Sequence, residues 1–167
     1  MNLPNLSLWL ALLCTALISG LYYAYSCSVN PGLATLRDGE YLGAMQAINR
    51  AILNGLFFLS FFGSLIMLSV TSVWHYNTPR FAWLLAATAV YAIGSFAVTV
   101  IGNVPLNEAL DGFDVHSASA GELREMRLRF ENPWSVYHRI RSVATCISLA
   151  LIATAAVLVT EDSQTVN

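Results

Sequence analysis

Trp134, His138, Arg141 and Thr145 stand at successive steps of four, three and four residues. On a helix that spacing gathers an indole, an imidazole, a fixed cation and a hydroxyl into one stripe. His138 is the member that can exchange a proton or bind a metal near neutrality. It serves equally well as a structural histidine bonded to a neighbouring carbonyl. Arg141 lies nearly two turns beyond Trp134 in an apolar segment, where an ionisable side chain calls for a named partner or a function. Snorkelling towards headgroups is its alternative, and it is the simpler reading for Arg139, which lies off the stripe.

A second polar set complements the first. Gln46, Asn49 and Arg50 share one helix face, Asn54 extends that face by another turn, and Asn103 and Asn107 flank Pro105. An amide buried without a partner costs about 1–3 kcal/mol. These groups must therefore bond to each other, to Arg141 or to a ligand. Any single asparagine also serves as glue between helices. Metal chemistry has few donors. His75 falls at the opposite membrane face and His116 in a loop, so bis-histidine haem ligation lacks a second ligand. A metal at His138 needs Glu108 or His116 to fold back; no cofactor is favoured. Cys14, Cys27 and Cys146 are an odd set without a C-x-x-C spacing, read as buried free thiols rather than disulfides.

The elements that hold these residues follow from composition. Hydrophobic residues make up 56% of the 167 and charged residues 11%, against roughly 25% charged in a soluble domain. All eight basic residues are arginine and the net charge is −2, which excludes the basic surface that nucleic-acid binding requires. No charge occurs before Arg37, between Arg50 and Arg80, between Arg80 and Glu108, or between Arg141 and Glu161. Each gap accommodates the ~20 apolar residues that cross a bilayer core. The expected fold is a single all-α domain over 1–167, a four-helix transmembrane bundle with a short amphipathic helix and a polar loop between helices 3 and 4. Its spans cover about 6–28, 51–73, 81–102 and 135–160, with the polar loop at 103–134.

Local signals refine the boundaries. Asn30-Pro31-Gly32 should break the first span, and Trp74, His75 and Tyr76 should close the second. Tyr22, Tyr23 and Tyr25 read as an interfacial aromatic belt. The third span should end near Gly102, with Asn103 as N-cap of a short restarted helix. Ser119 and Glu122 form a capping box ahead of a charged surface helix at about 120–131. Four crossings put both termini on one face. Arg37, Arg50 and the arginines from Arg124 to Arg141 gather on the other, which the positive-inside rule makes cytoplasmic. The protein is expected in the cell membrane as a multi-pass chain.

Three stretches together carry a family resemblance. They are Gly20-Leu-Tyr-Tyr-Ala-Tyr-Ser-Cys-Ser-Val-Asn-Pro-Gly with Met45-Gln-Ala-Ile-Asn-Arg, then Asn103-Val-Pro-Leu-Asn107, then Trp134 through Arg141. They resemble the DUF1772, anthrone oxygenase-like membrane family, whose fourth helix opens with a Trp-x3-(Asn or His)-x2-Arg motif. Ser142 stands where a threonine commonly follows that arginine. The resemblance implies a compact four-helix membrane bundle. Some fungal members oxidise anthrones to anthraquinones, with no established cofactor.

Carried onto this chain, the resemblance makes His138 the base that removes the ring-methylene proton and Arg141 the stabiliser of the resulting enolate oxygen. Asn103 and Asn107 would assist Arg141, Trp134 and Tyr137 would line the substrate slot, and Gln46 and Asn49 complete the substrate-binding set. The expected function is thus a membrane oxygenase (a monooxygenase-type oxidoreductase) acting on a hydrophobic aromatic molecule. The alternative is a non-catalytic lipid- or quinone-binding module, or an accessory subunit of a membrane complex. Expected partners are the lipid bilayer and a hydrophobic small molecule, with no nucleic acid. Gly20, Gly55, Gly63 and Gly94 suit close helix packing within the chain, against a second copy or against a partner protein.

Overall fold

The computed structural model describes residues 2–162, with side chains through 157. All of its regular structure is helical. The helices are α1 (Leu3–Ala34), α2 (Asp38–Ala51), α3 (Gly55–Trp74), α4 (Phe81–Asp111) and α5 (Ala120–Asp162). Helices α1, α3, α4 and α5 are each long and apolar enough to cross a membrane, so the chain is a multi-pass membrane protein. α1 packs against α3 and α5, and α4 packs against the same two, which closes a four-membered bundle.

Two expected helix breaks are absent. Asn30-Pro31-Gly32 continues α1, because the turn just before it, Tyr25–Val29, widens to π geometry and the Asn30 N–H reaches back to the Tyr25 carbonyl. The wider turn relieves the crowding that a proline ring imposes on the preceding turn. α4 likewise runs through Pro105, after π segments at Tyr91–Ala97 and Thr99–Asn103. Asn103 has helical angles and makes no cap. The charged segment after Ser119 is also no separate helix: it is the first part of α5, which carries Pro133 in its interior. The capping box at its start does form, with Glu122 Oε2 accepting from the Ser119 N–H at 2.8 Å.

A break does occur at residues 52–54, where continuity was expected. Asn54 turns to extended angles and its side chain accepts from the N–H groups of Leu56 and Phe57. It therefore starts α3 instead of extending the Gln46 face, as asparagine does at an N-cap. The short amphipathic helix is accordingly α2, between the first two spans. It buries Tyr41, Leu42 and Met45 with Leu110, Phe130 and Trp134 over the ends of α4 and α5. At its start Glu40 accepts from the Arg37 N–H, and the Arg37 side chain holds the Glu40 carboxyl below the usual carboxylate range. That bond is present above the ordinary carboxylate pKa and is lost only when the pH falls through the lowered one.

A second apolar cluster fills the membrane part, with Ile18, Tyr22, Phe61, Leu68, Tyr91 and Ile152 at its centre. Several polar groups there bond to backbone carbonyls of neighbouring helices, which keeps them satisfied in lipid, while the Thr15 and Thr71 hydroxyls find no partner among the described residues. Tyr91 Oη donates to the Phe61 carbonyl at 2.8 Å and Ser148 Oγ to the Ala87 carbonyl at 2.9 Å. Gly94 lets α5 approach, since a Cβ there would stand 2.6 Å from the Ala144 Cβ. Gly63 similarly faces Cys14, whereas nothing lies within 4 Å of Gly20 or Gly55. Of the free cysteines only Cys14 is buried; Cys27 and Cys146 are exposed on the helix surfaces.

Candidate functional site

The stripe on α5 faces the interior, with Trp134, His138, Arg141 and Thr145 all buried, while Arg139 is exposed. His138 is 1% exposed. Its ring stacks on Trp134 at 5.1 Å between centroids and 10° between planes, and meets the edge of Tyr22 at 5.9 Å. Arg141 Nε and Nη2 point at His138 Nδ1 from 3.4 and 3.3 Å. A guanidinium only donates, so Nδ1 is the acceptor and the ring proton sits on Nε2. That nitrogen donates to Ser26 Oγ at 3.0 Å, and Ser26 in turn donates to the Tyr22 carbonyl at 2.9 Å. Both ring nitrogens of His138 are therefore occupied inside the protein.

Arg141 is 8% exposed and has no carboxylate partner among the described residues. Two aromatic faces compensate in part, with its guanidinium carbon 4.4 Å from the Tyr22 centroid and 5.2 Å from that of Trp134. Each desolvated cation–π contact supplies about 2 kcal/mol, against the several kcal/mol that a buried ion loses in leaving water. Ring faces and the single His138 acceptor use only part of the five guanidinium N–H donors, so Arg141 keeps donor capacity for an anionic oxygen.

Arg141 borders a cavity of about 80 Å³, whose wall also includes Tyr22, Tyr25, Asn49, Asn107 and Trp134. The space holds a polar substituent or on the order of two or three waters at ~30 Å³ each. Its wall retains unused hydrogen-bonding capacity, since Asn49 Nδ2 is buried without a partner among the described residues. His138 is not part of this wall.

The other expected residues divide by task. Asn107 borders the cavity and holds the indole in place, its Oδ1 accepting from Trp134 Nε1 at 2.8 Å. Asn103 is fully buried; its Nδ2 donates to the Trp134 carbonyl at 3.2 Å and its Oδ1 has no partner among the described residues. Gln46 lies away from the cavity and is spent on structure, its amide donating to the carbonyls of Leu110 and Phe113, both at 2.8 Å. Tyr137 is partly exposed and packs over Gly102, where a Cβ would lie 2.6 Å from its ring. No group of three or more His, Cys, Asp or Glu side chains among the described residues is placed to share a metal ion.

Sequence reasoning passed over Tyr22, Tyr25 and Ser26 as site residues. The signal was their helical spacing: Tyr22 and Tyr25 face the cavity, Ser26 lies one turn on from Tyr22 and reaches His138 from an exposed position, and Tyr23 points outward. Reading all three tyrosines as an interfacial belt hid that distinction.

Comparison with known protein families finds a matching model, described as anthrone oxygenase, over residues 57–160. The matched region contains Asn103, Asn107, Trp134, His138 and Arg141, and leaves out α1 and α2. No curated protein and no solved structure matches the chain.

Proposed function

The chain belongs to the anthrone oxygenase family, and on that premise we propose that it oxidises a flat, hydrophobic aromatic ketone at the Arg141 cavity. The observation that carries this reading is the guanidinium itself, buried in a membrane bundle without a carboxylate and bordering a small, partly unsatisfied cavity. Fixed donors of this kind stabilise charge that develops on an oxygen. Loss of a proton from the ring methylene turns the opposite carbonyl into an enolate, and Arg141 with Asn49 Nδ2 receives that oxygen. The carbanion passes its electrons to dioxygen and forms a hydroperoxide at the methylene carbon. The hydroperoxide then loses water to leave a second carbonyl. One substrate and one dioxygen give one quinone and one water.

In this scheme His138 is a positioning residue. Its Nδ1 accepts from Arg141 and its Nε2–H is tied to Ser26, so it aims the guanidinium at the cavity. Asn107 does the same for Trp134.

The test is quinone formation and oxygen uptake by purified protein in lipid nanodiscs supplied with an anthrone. Arg141→Gln should lower kcat/KM by about 10²–10³-fold, the usual effect of losing one oxyanion donor. Arg141→Lys should recover part of that loss. Wild-type protein that binds the quinone tightly yet never turns over the anthrone would make the chain a ligand-binding module instead.

A further inference from the structure

The 80 Å³ cavity is too small for the ring system of the proposed substrate, since sites for drug-sized molecules run to roughly 300–1,000 Å³. A second, outer groove of about 520 Å³ adjoins it. The two share Asn49, Leu53, Val104 and Asn107, which form the threshold between them. The rings therefore have room in the groove, with only the oxygen-bearing edge reaching Arg141.

Two carboxylates line that groove, Glu108 and Asp111. They differ in one respect. Asp111 is paired with Arg50 across the groove, whereas the Glu108 carboxylate has no ion-pair or hydrogen-bond partner among the described residues. In an anthrone the carbonyl and the reacting methylene occupy opposite corners of the central ring. With the oxygen on Arg141 and the rings in the groove, the methylene at the opposite corner of the central ring lies towards the groove that Glu108 lines. We propose that Glu108 is the catalytic base of the reaction, a role that rests on the Arg141 reading above. Its carboxylate takes the methylene proton as the C–H bond breaks, and the electron pair moves through the ring to the oxygen facing Arg141. The proton returns when the hydroperoxide forms or leaves with the departing water.

The step can be watched without its oxidation. Under argon in deuterated buffer, an anthrone bound to nanodisc-embedded protein should exchange its methylene protons, followed by proton NMR. Glu108→Gln should slow that exchange by about 10²–10⁴-fold, the usual contribution of a general base. It should still bind 1,8-dihydroxyanthraquinone, which has no methylene, with the wild-type Kd. Glu108→Asp should retain part of the exchange, and Asp111→Asn most of it. Exchange by Glu108→Gln at the wild-type rate would overturn the assignment, as would its loss in His138→Ala with Glu108→Gln unaffected. A different result tests the underlying site: if Arg141→Gln binds the quinone and exchanges the anthrone as wild type does, the Arg141 reading fails whatever Glu108 does.

Discussion

Arg141 and His138 form a unit whose direction is set by what each can donate. The guanidinium has no lone pair to offer, so the imidazole must accept at Nδ1 and donate at Nε2 to Ser26. The pair differs in this from a histidine that waits for a substrate proton. Removing the ring should loosen Arg141 without taking away the group that accepts the proton. His138→Ala is therefore expected to lower kcat by about 10-fold with the pH profile of kcat/KM unmoved, and His138→Gln, whose amide also accepts and donates, should restore most of the rate. A lost limb in the pH profile of His138→Ala would instead make the histidine the base.

At the scale of the helices, the site depends on how closely α4 and α5 approach. Gly94 and Gly102 each give up a Cβ to an α5 side chain, Ala144 and Tyr137 respectively. Each of these glycines lies within one of the π segments of α4, which re-aim the residues after Tyr91 and let the helix run through Pro105. Asn107 and Glu108 are thereby held on a continuous helix beside the cavity and groove. Gly94→Ala places a methyl 2.6 Å from the Ala144 Cβ, and overpacking of that kind costs about 1–3 kcal/mol. It should lower the midpoint of detergent-induced unfolding, and the double variant Gly94→Ala/Ala144→Gly should recover it. Equal destabilisation in the single and double variants would show that the contact is not the cause.

For the whole molecule, the two ends of the bundle differ in construction. One end is a short turn at residues 75–80, where Asn77 takes a left-handed conformation. The other is roofed by α2 and the first part of α5. Arg127 joins them, donating to the Ala34 and Leu36 carbonyls and to Asp38 and Glu131, and lying over the Tyr41 ring. Arg37, Arg50 and the α5 arginines belong to this roofed end and Arg80 to the turn. The arginine excess predicts that the roofed end is cytoplasmic. A topology reporter inserted at residues 113–118 should therefore report the cytoplasm, and one inserted at residue 77 the opposite side. The reverse pattern would show that the arginines are kept for the site and not for orientation.

The number of crossings, the arginine stripe on the last of them and the family resemblance were all legible in the residues alone. The physical reason is that the cost of a charge in lipid and the spacing of side chains on a helix are local quantities, set by residue type and position in the chain. The exceptions were also local in appearance. Asn30-Pro31-Gly32 and Asn103-Val104-Pro105 look like breaks, and only packing against the neighbouring helices shows them carried through on π turns. The same holds for the site. Which nitrogen of His138 is protonated, that Gln46 is consumed by two carbonyls, that the cavity beside Arg141 is small, and that the Glu108 carboxylate in the adjoining groove has no partner among the described residues are facts about atoms far apart in the sequence. Tertiary structure alone decided them, because hydrogen-bond partners and cavity walls are set by distances that no spacing along one helix contains.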